Sequence, residues 1–156
     1  WINGRRTPDA NQALKSALSN LSLGTKAPHI FTALVHSICF GSKKIVDRFE
    51  EEGVAINKII GIGGVARKSP FIMQTLANVL NRPIVVAVSD YAPALGAAIY
   101  AAVAAGLYPD VITAAKTLGS DYEAEYFPQT DKVETMKVLM ENYDALSAFV
   151  ESITKK

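Results

Sequence analysis

The 156 residues are 49% hydrophobic, and 16 Lys and Arg side chains against 15 Asp and Glu give a formal net charge of +1. This balance, without a basic stripe interleaved with aromatic residues, argues against a nucleic-acid partner. No apolar run is long enough to cross a bilayer, so we also expect no membrane partner. The single cysteine, Cys39, cannot form an internal disulfide, which fits a reducing cytoplasm, where we expect the protein to reside.

The first third of the chain predicts a loop-rich segment followed by one long helix. Residues 1–27 are irregular, with at most a short helix over residues 11–18. Because the segment begins with Trp1 and has no periodicity, we interpret the sequence as a portion of a longer polypeptide. From Pro28 to Gly53, apolar residues recur with helical spacing. They share one broad face and comprise Phe31, Leu34, Val35, Ile38, Ile45, Val46 and Phe49.

We interpret the arginines, histidines and cysteine of this first third as structural or solvated residues rather than as binding or catalytic residues. Arg5 and Arg6 can hold an anion, but paired arginines are more often solvated or bonded to carboxylates. His29 and His36 have no cysteine or carboxylate at metal-ligand spacing, so we predict structural roles and no metal site. Cys39 falls in an apolar helical stretch, which predicts buried packing rather than a reactive thiol.

The centre of the chain predicts a strand, a glycine turn and a helix. Residues 59–62 are too few for a helix and rich in β-branched side chains, which is typical of a strand buried on both faces. Gly63 and Gly64 follow, and without Cβ atoms their backbone can adopt positive φ and lie against a phosphate or a ring. Ser69 before Pro70 is a strong helix start. Such a corner is a standard place for an anionic ligand, although a tight turn without a ligand gives the same pattern.

A second strand and further helices follow this corner. The helix from Pro70 ends near Leu80, and residues 84–88 are a second apolar strand, so the three elements form a right-handed parallel crossover. An alanine-rich helix over residues 93–105 is expected to be buried on most sides. The remaining predicted elements are a short helix over residues 111–118, an edge strand or extended arm over residues 122–127, and an amphipathic last helix after Pro128.

One alternative interpretation of the glycine corner is a dinucleotide site. Gly61, Gly63 and Ala66 match a G-x-G-x-x-A spacing after a strand, and Asp90 ends the next strand as an acid able to hold a ribose. Asp90 lies rather far from Gly61 for that role, and capping of the next helix is its preferred interpretation. No P-loop spacing and no convincing set of carboxylates for phosphoryl transfer is present in the sequence.

Several spaced blocks of the sequence resemble the FGGY family of carbohydrate kinases. They are residues 3–8 (Asn-Gly-Arg-Arg-Thr-Pro), 63–69 (Gly-Gly-Val-Ala-Arg-Lys-Ser), 73–74 (Met-Gln), 79–84 (Val-Leu-Asn-Arg-Pro-Ile), 94–98 (Ala-Leu-Gly-Ala-Ala) and 126–128 (Tyr-Phe-Pro). Arg5, where xylulokinases and glycerol kinases usually carry glutamate, and the aromatic-proline pair before the last helix both favour the ribulokinase branch. The resemblance covers nearly the whole chain.

The resemblance implies an α/β fold, namely part of the second domain of an actin-like ATPase (ribonuclease H-like), with helices dominating a parallel sheet. Residues 1–156 are then a carboxyl-terminal nucleotide-binding domain. Its implied cofactors are ATP and Mg²⁺, and its implied partners are a pentulose substrate and the amino-terminal domain of the same chain. In the family, the catalytic aspartate and the magnesium ligands precede the region that residues 1–156 resemble. We therefore expect no catalytic or metal residue among residues 1–156, and no kinase activity from them alone.

The resemblance also implies the nucleotide-binding residues. The family position that matches Gly64 contacts the phosphates through its backbone, and those that match Val65 and Lys68 border the adenine and the ribose. Gly63 forms the turn. Glycerol kinases often carry asparagine where this chain has Lys68, which leaves its role open. Two alternatives for the function stay open as well: another FGGY kinase of the xylulokinase or glycerol kinase type, and an actin-like nucleotide-binding module without catalysis.

Overall fold

The computed structural model describes Trp1 and residues 4–154, so Asn3 of the first motif lies outside the described residues. In chain order the elements are α1 (Ala27–Glu51), β1 (Ile59–Gly61), α2 (Gly63–Lys68), α3 (Pro70–Leu80), β2 (Ile84–Ala87), α4 (Ala92–Ala104), α5 (Val111–Leu118), β3 (Tyr122–Tyr126) and α6 (Thr130–Ile153). They form two compact units. The first comprises Trp1–Asn57, Asn78–Asn81 and Pro128–Lys156, and the second comprises Lys58–Ala77 and Arg82–Phe127.

The amino-terminal segment of the first unit is irregular, and the short helix expected over residues 11–18 is wrong. The backbones of Arg5 and Asn11 form an isolated antiparallel bridge, with N–O distances of 2.9 and 2.8 Å. The Asn11 side chain accepts a bond from the Ala13 amide at 3.0 Å, a local turn that competes with helix formation. Arg5 forms an ion pair with Glu151, so its structural interpretation is confirmed.

Helix α1 has the ends that the sequence predicts. Pro28 lies in its first turn, and Gly53 follows its last residues with φ of +80°. The Gly53 amide donates to Glu50 O at 2.9 Å and the Val54 amide donates to Phe49 O at 2.8 Å. These two bonds are the Schellman arrangement, which satisfies carbonyls that have no partner within the helix.

The buried face of α1 differs from the predicted one. Val35, Cys39 and Phe40 are buried, while four of the expected inward residues are exposed, namely Phe31, Leu34, Ile38 and Phe49. Burial raises the pKa of the Cys39 thiol to about 11, which keeps it protonated and unreactive at neutral pH. The packing role predicted for Cys39 is therefore confirmed.

The two histidines of α1 have structural contacts. His29 Nδ1 accepts a bond from the Lys26 backbone amide at 3.2 Å, closing a cap at the start of the helix. His36 lies beside Phe40, with ring centroids 6.1 Å apart, and burial lowers its pKa. Both contacts confirm the structural roles that the sequence predicts.

Helix α6 packs against α1 within the first unit. The rings of Phe40 and Tyr143 lie 5.5 Å apart between centroids, and Lys44 Nζ lies 2.7 Å from Asp144 Oδ1. At the start of α6, the Gln129 amide donates to Asn78 Oδ1 at 2.8 Å. Because Asn78 is itself buried, this bond satisfies a polar group that would otherwise be costly to remove from water.

The second unit contains a three-stranded sheet of order β1-β2-β3. β1 and β2 are parallel, with Ile59 opposite Ile84, so the predicted crossover through a helix is confirmed. β3 pairs antiparallel with β2, which makes the sheet mixed and confirms the predicted edge strand. Ile84 and Val86 of β2 are fully buried, but Ile60 of β1 is exposed, so the expected burial of β1 on both faces is wrong.

Helix α4 is less buried than the sequence predicts. Ile99 is its one buried residue among those described, and Tyr100 and most alanines are exposed. Alanine has the highest helix propensity, so the segment is helical without the burial that its apolar composition suggests.

Asp110 Oδ1 accepts a bond from the Thr113 amide at 2.7 Å and caps α5. In the described part of the chain, no helix is both long and apolar enough for a membrane span.

Candidate functional site

The glycine corner lies where β1 ends in the second unit. Ile62 is extended, Gly63 has φ of +80°, and α2 begins at Gly63. The positive φ predicted for this turn is confirmed, but the sequence missed α2, a six-residue helix before Ser69. Ser69 Oγ accepts a bond from the Ile72 amide at 3.4 Å, which confirms Ser69 as the cap of α3.

Helix α2 presents the four predicted binding residues on a corner with a distinct inner and outer side. Ala66 is 5% exposed and anchors the helix inward, whereas Val65 is 61% exposed. Gly64 and Lys68 are exposed and Gly63 is half-buried. Because residues three and four apart share a helix face, Lys68 lies on the same side as Gly64 and Val65. The structure thus places Gly64, Val65 and Lys68 on one accessible surface, with half-buried Gly63 at its edge.

The glycines of this corner differ in what surrounds them. A Cβ added at Gly63 or Gly64 meets no atom of the described chain within 4 Å. A Cβ at Gly61 comes within 2.8 Å of Met73 Cε and 3.1 Å of Ala66 Cβ. Gly61 is therefore explained by packing inside the unit. The backbone of Gly63 and Gly64 is open to a molecule from outside.

Arg67 forms an ion-pair network beside this surface that the sequence interpretation missed. Its Nε lies 2.6 Å from Glu123 Oε1 and its Nη2 lies 3.0 Å from Glu123 Oε2, and Nη1 donates to Asp90 Oδ1. The bonds to Glu123 first, and then to Asp90, raise the pKa of the guanidinium above its usual range. The sequence signal was an arginine after a strand whose parallel neighbour ends in an acid. The pairing with Glu123 depends on the β3 register and is not visible in the sequence.

Asp90 does not cap the following helix, so that interpretation is wrong. The residue at the cap of α4 is Tyr91, which makes no side-chain capping bond. Asp90 is bonded to Arg67 instead. Because its carboxylate accepts a charge-assisted bond from the guanidinium, this partner competes with the free amides of α4.

The chemistry that this corner offers is binding and orientation. The amides in the first turn of a helix have no acceptor within that helix, so those of α2 can donate to oxygens of a ligand. Val65 adds apolar surface and Lys68 adds a positive charge that has no ion-pair partner in the described part of the chain. Among Trp1 and residues 4–154, no group of three His, Cys, Asp or Glu side chains is placed to hold a metal ion.

Comparison with known sequences places the chain among sugar kinases. The family model described as "FGGY family of carbohydrate kinases, C-terminal domain" matches residues 1–105. A ribulokinase from Vibrio parahaemolyticus is 51% identical over 137 residues, which is 88% of this chain and 24% of that protein. A ribulokinase from Geobacillus thermodenitrificans is 35% identical over 150 residues, which is 94% of this chain and 27% of that protein. The chain thus spans about a quarter of the length of these curated relatives.

Solved structures confirm the fold. A gluconate kinase from Lactobacillus acidophilus matches with a TM-score of 0.85 at 22% identity, over 98% of this chain and 30% of that one. A xylulose kinase from Rhodospirillum rubrum matches with a TM-score of 0.78 at 23% identity, over 91% of this chain and 28% of that one. The α/β, actin-like ATPase fold expected from the sequence is confirmed, with a mixed rather than parallel sheet. Because the family model covers more than half of the sequence, the chain belongs to the FGGY family of carbohydrate kinases.

Proposed function

We propose that the chain is the nucleotide-binding portion of an ATP-dependent ribulokinase, which transfers the γ-phosphate of ATP to a hydroxyl of a ribulose-type sugar. The observation that carries this proposal is the exposed corner at Gly63 and Gly64, where no atom of the described chain lies within 4 Å of an added Cβ. The 51% identity to a relative named ribulokinase supports the choice of sugar. Residues 1–156 then correspond to a carboxyl-terminal domain.

The residues of the corner have distinct roles in this proposal. The Gly64 backbone lies against the phosphates, because a glycine permits closer approach than any residue with a Cβ. Val65, 61% exposed, covers part of the adenine. Lys68 is free to place its charge near the phosphates or its aliphatic stem along the adenine and ribose. ATP bound with Mg²⁺ supplies the phosphoryl group, while these residues hold it in one orientation and supply no base.

We propose as partner an amino-terminal domain of the longer protein that carries this sequence. It would contribute the catalytic base, the magnesium ligands and the pentulose contacts. Helix α1 supports such a partner, since Phe31, Leu34 and Ile38 share one helix face and are all exposed, and exposed apolar patches commonly mark interaction surfaces. We also propose a cytoplasmic location, in keeping with the single protonated thiol of Cys39.

The second candidate is an FGGY kinase that acts on another substrate. The solved neighbours include proteins named gluconate kinase and xylulose kinase, and the nucleotide corner does not select the sugar. A further alternative is a module of the same fold that binds nucleotide without catalysis. Such a protein would bind ATP and show no sugar-dependent turnover. The dinucleotide alternative is disfavoured, because Asp90, its candidate ribose ligand, is bonded to Arg67.

A coupled kinase assay on the longer protein that carries this sequence tests the proposal. We expect MgATP-dependent ADP release with ribulose, weaker release with xylulose and none with glycerol or without sugar. Residues 1–156 alone should show no sugar-dependent turnover. Preference for xylulose or glycerol would replace the ribulokinase assignment by the second candidate. Binding of a nicotinamide dinucleotide without ATP binding would contradict the kinase assignment altogether.

A further inference from the structure

We propose that Arg67 is a positioning residue, which holds the nucleotide-binding face of α2 in place through its bonds to Glu123 and Asp90. The inference rests on the proposed function, because it concerns the same corner. It adds that nucleotide affinity depends on a carboxylate of β3, a strand that contributes none of the predicted binding residues.

Arg67 and Glu123 form a bidentate ion pair. Two nitrogens of one guanidinium meet two oxygens of one carboxylate, at 2.6 and 3.0 Å. Such a bidentate pair fixes orientation as well as distance. Arg67 also bonds to Asp90, which lies in the turn after β2, so one guanidinium joins α2 both to β3 and to that turn. The helix is therefore held against rotation about its own axis.

Helix α2 needs a restraint from outside its own six residues. The helix has six residues, far fewer than an isolated helix requires in water. Two of the six are glycines, whose backbone loses the most conformational freedom on ordering, and Ala66 is its one buried residue among those described. A single small side chain leaves most of the orientation of α2 undetermined. The ion pairs of Arg67 supply the remaining restraint.

Arg67 and Lys68 differ in how their charges are balanced. The guanidinium lies between two carboxylates, so its positive charge is already balanced, and its side chain is 25% exposed. Lys68 is the cation of α2 that has no ion-pair partner in the described residues. Arg67 is thus arranged to act on the nucleotide through α2 rather than by touching the phosphates. Glu123 is 30% exposed and Asp90 is 61% exposed, so we assign Glu123 the larger part of the restraint, since exposed pairs are more strongly screened.

The Glu123→Gln variant tests this role, because it keeps the size of the side chain and removes the charged fork. In the longer kinase that carries this sequence, we expect KM for ATP to rise by about tenfold or more, since misplaced binding groups weaken productive binding. The kcat at saturating ATP and KM for the sugar should change little. Glu123→Asp should restore part of the affinity, and Arg67→Gln combined with Glu123→Gln should be no worse than the more severe single variant. Glu125→Gln, on the same strand and exposed, is the matched control and should behave as the wild type.

Hydrogen exchange without nucleotide gives a readout that does not depend on the proposed function. We expect the amides of Arg67 and Lys68 to exchange faster in Glu123→Gln than in the wild type or in Glu125→Gln. Unchanged exchange overturns the positioning role. An unchanged or lowered KM for ATP in Glu123→Gln, together with a raised KM in Arg67→Gln, also overturns it, because Arg67 would then contact the nucleotide itself. Failure of the proposed function is distinct, since the wild-type protein would then show no ATP binding at all.

Discussion

Gly61, the last residue of β1, and Gly64, the second residue of α2, show that glycine serves two opposite purposes within four positions. A Cβ added at Gly61 would lie 2.8 Å from Met73 Cε and 3.1 Å from Ala66 Cβ. A Cβ added at Gly64 would have no atom of the described chain within 4 Å. Gly61 is needed because side chains of the same unit fill the space beside it. Gly64 leaves space that a ligand can occupy. A glycine motif therefore indicates a ligand site only at the positions where the protein leaves the space empty.

The largest effect that this contrast predicts is from Gly64→Val. Its added side chain enters space that the chain does not use, so the free energy of unfolding should change by less than about 1 kcal/mol. The same side chain blocks the approach of the phosphates, and affinity for ATP should fall by about a hundredfold or more, because productive contact needs sub-ångström placement. Isothermal titration of the longer kinase with ATP, alongside urea unfolding, measures both quantities.

The matched control for that variant is Gly96→Val in α4. Gly96 also has no atom within 4 Å of an added Cβ, but it is not one of the corner residues. Its variant should keep wild-type affinity for ATP. Equal losses of affinity for ATP in Gly64→Val and Gly96→Val would mean that any branched side chain at an open glycine of the second unit disturbs the site. The open space at Gly64 would then not indicate where the ligand binds.

A smaller effect, on stability, is expected from Gly61→Val. The new side chain overlaps Met73 and Ala66, and overpacking of this kind typically costs about 1–3 kcal/mol. Because Ala66 anchors α2, ATP affinity should weaken in parallel with stability rather than independently of it. Urea unfolding monitored by circular dichroism measures the loss. A variant as stable as the wild type would show that Met73 rearranges at no cost, and that Gly61 is not needed for packing.

The smallest effect is expected from Gly96→Ala. The position is helical, and a Cβ there meets nothing, so the substitution should raise the free energy of unfolding by roughly 0.5–1 kcal/mol through helix propensity alone. Gly64→Ala should add a similar amount of stability, since its surroundings are equally open, yet it should weaken ATP binding. The difference between these two alanine variants isolates the ligand contribution from the folding contribution. Thermal unfolding with and without ATP reads out both.

Much of the fold follows from local sequence patterns. Pro28 and Gly53 mark the ends of α1, Ser69 and Pro70 mark the start of α3, and short β-branched runs mark β1 and β2. These features depend on neighbours in the chain, so a single sequence reveals them. The expected helix over residues 11–18 is wrong, because the bridge between Arg5 and Asn11 and the side-chain turn at Asn11 hold the start of that segment out of a helix.

Burial was harder to predict than secondary structure. The outward side of α1 and most of α4 are apolar in sequence and exposed in the described structure, since periodicity shows which residues are apolar and not what covers them. In the candidate site, too, local features could be predicted from the sequence and contacts between distant residues could not. The glycine corner was visible in the sequence, whereas Glu123 reaches Arg67 only through the antiparallel register of β3 with β2.

The central claim is that the open backbone at Gly63 and Gly64 receives ATP, and glycine amide resonances test it directly. Residues 1–156 contain 10 glycines, and in the longer kinase labelled with ¹⁵N-glycine the signals of Gly63 and Gly64 can be assigned by substitution and followed during titration with MgATP. We predict saturable shifts of the Gly63 and Gly64 amides, with Gly41 and Gly106 unchanged. Saturable shifts confined to glycines outside the corner, or no shifts at millimolar MgATP in the longer kinase, would contradict the account.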